Sequence, residues 1–171
     1  MQLVIIDIEA SGLGVNSFPI EIAWKDPNTG DYDSFLIDPS SVDYWDDWDH
    51  NAACIHGISQ DELTSRGVHP IVAVQRLNSQ LCGSIAYSDG LGSDTMWLSV
   101  LFEAVGVDPT FEIRCLYTYL LASALSVSQF KKVMLSSKTP HRALPDVERI
   151  IESAELALGA SWALHCDWDR L

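Results

Sequence analysis

Asp7 and Glu9 stand two residues apart at the end of an apolar, β-branched run, Leu3-Val4-Ile5-Ile6. In a strand, positions i and i+2 project from one face, so this spacing sets two carboxylates side by side. Such a pair repels unless a cation lies between, and small hard cations such as Mg²⁺ take oxygen ligands of this kind. Two solvated acids at a strand end fit the same spacing. The next residues, Ala10-Ser11-Gly12-Leu13, can turn the chain tightly and offer backbone N–H groups to a phosphate or a terminal hydroxyl.

A second pair is His141 and Asp146. Pro145 is tolerated in the first turn of a helix, which puts Asp146 near a helix N-terminus and His141 in the turn before it. The helix dipole there keeps a carboxylate ionised, as a metal ligand must be. Imidazole accepts a proton near neutral pH, so the chemistry open to His141 is that of a general base. A surface histidine followed by an N-terminal helix acid is the plainer alternative. The third element is Asp94, in the first turn of a helix anchored by Trp97, Leu98 and Leu101, where an N-capping role is the alternative. Asp89, on the glycine-rich turn Asp89 to Gly92, is the rival ligand.

Positioning these groups requires a strand over Leu3–Glu9, buried on both faces. Strands follow at Ile20–Trp24 and Tyr32–Ile37, joined by the hairpin residues Asp26-Pro27-Asn28-Thr29-Gly30-Asp31. Residues 39–54, acidic with Trp45 and Trp48, read as an irregular loop. Ser59 to Glu62 fits a capping box opening a short helix, and a second helix runs from Pro70 to about Leu81. Then come a strand at Ser84–Tyr87, the helix carrying Asp94, a strand at Phe111–Leu116, helices near Tyr117–Leu125 and Ser128–Leu135, and a long helix over Leu144–Leu158. Early strands followed by strand–helix alternation predict a mixed α/β sheet.

The length of 171 residues suits one domain, 1–171. No apolar run approaches the ~20 residues of a membrane span, and the opening run is too short for a secretory signal. Four scattered cysteines (Cys54, Cys82, Cys115 and Cys166) show neither zinc nor dithiol spacing and read as free buried thiols of a cytoplasmic protein. The net charge of −14 argues against a long duplex tracked by a wide basic surface. Ions held by carboxylates supply positive charge of their own. The segment Ile113–Pro145 also carries Arg114, Lys131, Lys132, Lys138 and Arg142 with no acid, whereas Asp43, Asp46, Asp47 and Asp49 gather elsewhere. A short or single-stranded substrate fits this distribution.

Together, Asp7-Ile8-Glu9-Ala10-Ser11-Gly12-Leu13 and His141-Arg142-Ala143-Leu144-Pro145-Asp146 resemble the first and third motifs of the DnaQ-like exonucleases of the DEDDh type, in the ribonuclease H-like superfamily. Between them, Ile55-His56-Gly57-Ile58-Ser59 is similar to that family's His-Gly-Ile-Thr segment. The middle motif keeps Asp94 with Trp97-Leu98 but lacks the family's His-Asn. The resemblance covers residues 3 to about 158. It implies a ribonuclease H-like fold, a mixed five-stranded sheet with helices on both faces. It also implies two Mg²⁺ or Mn²⁺ ions held by Asp7, Glu9, Asp94 and Asp146, with His141 as general base. The expected reaction is 3′→5′ removal of nucleoside 5′-monophosphates from RNA, DNA or short oligonucleotides. Ala10, Ser11, Gly12, His56 and Asn51 are implied at the substrate, and a homodimer is compatible. Other classes are a non-catalytic ribonuclease H-like nucleic-acid-binding or interaction module, a phosphomonoesterase with an aspartyl nucleophile, and an acidic interaction domain without a site. The phosphomonoesterase would carry Asp at position 9 and a downstream lysine.

Overall fold

A computed structural model describes residues 2–122, 126–136 and 141–158. The predicted five-stranded mixed sheet is present. Its strands are β1 (Leu3–Ala10), β2 (Pro19–Lys25), β3 (Tyr32–Leu36), β4 (Ile85–Ser88) and β5 (Glu112–Cys115), in spatial order β3-β2-β1-β4-β5. β2 runs antiparallel to β1 and β3, and β4 runs parallel to β1 and β5.

The pleat of β1 separates two layers. Val4, Ile6, Ile8 and Ala10 enter a core with α3 (Pro70–Gln80) and α4 (Leu91–Val105), through Ala73, Val74, Leu77, Trp97, Leu98 and Leu101. Ile5 on the other face meets α5 (Leu116–Ala122), α6 (Val127–Ser136) and α7 (Ala143–Leu158). Ala143, Val147, Ile150, Ile151 and Ala154 give α7 one apolar stripe, which lies against β1 and β2. Asp7 and Glu9 continue the Ile5 face past the point where apolar packing ends.

The stretch 39–54 is more regular than expected. A 3₁₀ turn covers Pro39–Ser41, and a helix, α1 (His50–His56), opens inside the supposed loop. Asp49 caps α1 by accepting the Asn51 N–H at 2.8 Å, and Gly57 closes it at φ 69°. Trp45 is buried and stacks on Phe18, centroids 5.2 Å apart, so the acidic segment hangs on an aromatic anchor. α2 (Gln60–Arg66) begins as the cap signal predicts, with Ser59 Oγ accepting the Glu62 N–H. The glycine-rich turn is shorter than expected: Gly90 is the N-cap of α4, and Gly92 lies inside the first turn.

The buried-thiol expectation is corrected. Cys54 and Cys82 are exposed and Cys115 is intermediate, all three free; Cys166 lies outside the described residues, as do Leu125 and Lys138. Cys54 occupies the outer side of α1 and Cys82 the turn after α3, positions that no core element covers. Among the described residues, no helix is long and apolar enough to cross a membrane.

Candidate active site

Asp7 and Glu9 project together where β1 leaves the core, and α7 brings Asp146 over them. Carboxylate oxygens of these three lie within 4.8 Å of one another. Asp94 arrives from the opposite layer. It falls three residues before Trp97 and four before Leu98, so it extends the buried stripe of α4. Its side chain is buried, and Ser88 Oγ donates to Asp94 Oδ2. The alternative of an N-capping aspartate is removed, because Gly90 holds that place. Asp89, at the end of β4, lines the same cleft of about 350 Å³, together with Ser93, Trp97, His141 and Arg149. The carboxylates therefore gather at the C-terminal ends of the parallel strands β1 and β4, where open α/β sheets bind ligands.

Electrostatics distinguish this cluster from ordinary acids. Burial pushes the Asp7 carboxyl well above its usual range, and Asp94, Glu9, Asp89 and Asp146 push it further. Glu9 is raised to about 7 by burial, then by Asp146 and Glu21. Burial also raises Asp94 to about 7, against the lowering effect of the Ser88 hydrogen bond. Asp89 and Asp146 shift upward from burial, although Arg149 opposes both shifts. Five carboxylates crowded in a half-dry cleft favour either protons or a bound cation. An all-oxygen donor set of this size fits Mg²⁺ or Mn²⁺.

The turn before α7 is fixed by residues that sequence reasoning missed. Glu21 lies opposite Glu9 in the β1–β2 register and is buried. It accepts hydrogen bonds from Arg142 Nη2 (2.7 Å), Arg142 Nε (3.0 Å) and the Ala143 N–H (2.9 Å). Asp146 accepts from the Arg142 N–H and from Arg149 Nε, both at 3.1 Å. His141 adopts φ 51°, a left-handed conformation uncommon outside glycine, and stands exposed at the rim of the cleft. Clamping on both sides of Arg142 maintains that turn. An acid at the centre of the apolar strand Pro19-Ile20-Glu21-Ile22-Ala23-Trp24 was the available signal for Glu21, and the i+3 spacing from Asp146 was the signal for Arg149.

The remaining sequence candidates occupy different positions. Ala10 and Ser11 are buried, and the Ser11 N–H and Oγ are both committed to Phe18, which closes the β1–β2 turn. Gly12 is also buried; a Cβ there would stand 3.1 Å from Asp49 Cβ. His56 turns inward: its Nδ1 accepts the Ile58 N–H at 3.0 Å, and burial lowers its pKa. Asn51 is exposed on α1.

No family model matches the sequence, and no curated protein matches it. Solved structures do. E. coli exonuclease I in a zinc-bound complex with single-stranded DNA superposes with TM-score 0.72 at 17% identity, over 92% of this chain and 40% of that one. E. coli exonuclease I in complex with a dA16 oligonucleotide gives 0.72 and 17%, over 96% and 42%. A moderately thermophilic exonuclease I from Methylocaldum szegediense gives 0.67 and 15%, over 91% and 40%. The chain spans about 40% of the length of these structures. The extent of the superposition carries the conclusion: this chain, with its mixed five-stranded sheet, has the ribonuclease H-like fold found in exonuclease I.

Proposed function

We propose that the chain is a divalent-metal-dependent 3′→5′ exonuclease that acts on single-stranded or short RNA or DNA and releases nucleoside 5′-monophosphates. The observation that carries this reading is the meeting of Asp7, Glu9, Asp94 and Asp146 from two opposite layers, with burial raising the pKa of every one. Those four residues would hold two Mg²⁺ or Mn²⁺ ions, and Asp89 adds negative charge beside them. Such ions polarise a phosphodiester, acidify water and stabilise a departing 3′ oxygen. His141, at the cleft rim, accepts the proton of the attacking water and can pass it to solvent. Glu21 and Arg142 hold the His141 turn in place. The folded β1–β2 turn at Ala10, Ser11 and Gly12 shapes the wall that the strand end meets, with His56 and Asn51 on the neighbouring helix.

End-labelled single-stranded RNA and DNA, incubated with Mn²⁺, test the proposal. The 5′-labelled strands should shorten one nucleotide at a time and yield 5′-mononucleotides, and EDTA should stop the reaction. Cleavage undiminished by EDTA, or none on either polymer, would sink it.

A further inference from the structure

A pocket of about 300 Å³ opens beside the edge strand β3, where Glu21, Arg66, Val68, Arg76 and Arg142 are among its lining. Three of the ten basic residues of a protein with net charge −14 thus meet in one concavity. Each has a carboxylate. Arg142 grips Glu21 through Nε and Nη2, Arg76 grips Asp33 in the same two-point manner, and Arg66 Nη1 lies 2.7 Å from Glu62.

By formal charge the three pairs cancel, but by placement they do not. Side-chain exposure is 36% for Arg142 against 6% for Glu21, 33% for Arg76 against 12% for Asp33, and 71% for Arg66 against 23% for Glu62. The acids lie inward and the guanidinium groups outward. Away from this pocket the pattern varies: the carboxylate is the more exposed partner in Lys25–Glu148 and Arg114–Glu112, and the less exposed one in Arg149–Asp146 of the cleft. A guanidinium carries five N–H donors, and the two-point grips engage only Nε and Nη2 of Arg76 and Arg142. Arg76 is further held over the Phe35 ring at 4.5 Å. Close chain approach lies next to the pocket: a Cβ at Gly67 would sit 2.5 Å from the Asp38 backbone nitrogen, so only glycine lets the end of α2 come this near the chain leaving β3. The result is two pre-ordered forked donors, Arg76 and Arg142, with the more exposed Arg66 beside them, a set suited to phosphate oxygens.

Neighbouring residues link the pocket to the carboxylate cleft. Arg142 follows His141, and Glu21 is the cross-strand partner of Glu9. Two strand spacings separate β1 from β3, roughly 10 Å, which a single strand covers in about three nucleotides stacked ~3.4 Å apart. We propose that Arg66, Arg76 and Arg142 form an anchoring site for phosphodiester groups a few nucleotides from the 3′ end held in the cleft. This rests on the exonuclease reading and adds the path of the strand.

Binding tests it independently of turnover. Fluorescence anisotropy would follow phosphorothioate-linked dT8, dT2 and rU8 on the full chain with Mn²⁺. Arg66→Gln should weaken dT8 and rU8 about fivefold and flatten the dependence of log Kd on log salt by about one unit. The dT2 probe, too short to reach the pocket, should bind as to wild type, and Arg114→Gln should leave dT8 unchanged. The proposal is overturned by an unaltered dT8 affinity and salt slope in Arg66→Gln, by an equal loss on dT2, or by wild type failing to bind dT8. Arg66-dependent binding without cleavage of unmodified dT8 would remove the exonuclease reading and keep the pocket. Cleavage with Arg66-independent binding would do the reverse.

Discussion

The cleft at the end of β1 and the edge of β3 both bury carboxylates, and they treat them oppositely. In the cleft, Asp7, Glu9 and Asp94 sit among other acids, and burial raises all three pKa values. At the edge, Glu21 and Asp33 are each gripped by an arginine. The second arrangement satisfies its charges within the chain, whereas the first leaves the cleft dependent on protons or an added cation. Asp146 belongs to both: it shares the cleft yet accepts hydrogen bonds from Arg149 and the Arg142 backbone. A buried acid with a partner is architecture, and a cluster of buried acids without one is a candidate site.

The sharpest way to break this contrast is Asp7→Asn. It removes one ligand charge and almost no volume, so turnover should vanish while EDTA-treated protein melts at a higher temperature than wild type. Full activity, or a lowered melting temperature, would show that Asp7 belongs with the structural acids. Within the same cluster, Asp94→Asn should cost more activity than Asp89→Asn, because Ser88 and the α4 stripe fix Asp94. The opposite order would transfer the ligand role to Asp89.

His141→Ala should lower kcat by about 10²–10⁴-fold, the usual contribution of a general base, with Mn²⁺ still raising the melting temperature. Near-wild-type activity in that variant would make His141 a loop residue only.

Glu21→Gln probes the other side of the comparison. It leaves half-buried Arg142 without its counter-charge and loosens the turn before α7, so urea unfolding should report a loss of about 3 kcal/mol. A stability within experimental error of wild type would mean that the Arg142 grip holds nothing in place.

The smallest effect concerns pH. Glu9 and Asp94 rise from 4.5 and 3.8 to about 7, so the folded chain binds more protons than the unfolded chain between those values. Their stabilising protonation is complete below about pH 4 and is lost as pH climbs through about 7. In EDTA the melting temperature should therefore fall from pH 5 to pH 8, and Mn²⁺ should reduce that fall, because cation binding favours the ionised carboxylates. Glu9→Gln should flatten the slope. A melting temperature that rises with pH in EDTA across this window would contradict the assignment.

Local physics made much of the molecule legible in its sequence. The run before Asp7 could only be a buried strand, and the i, i+2 spacing then forced Asp7 and Glu9 onto one face whatever the rest of the chain did. Pro145 placed Asp146 in the first turn of α7 by the same logic of short range, and Ser59 announced α2. Helix α1 escaped notice because its seven residues carry no apolar period, and its only marks are the caps Asp49 and Gly57. The tertiary structure alone decided which acids meet. Asp94 reaches β1 from a helix on the far layer, and Asp89 joins the cleft because β4 runs parallel beside β1. The grip of Glu21 on Arg142 closes over 121 residues of sequence. Such distances depend on sheet order and layer packing, so they appear in no local pattern, and the same holds for the pKa shifts, which arise from burial and neighbours that only the folded chain supplies.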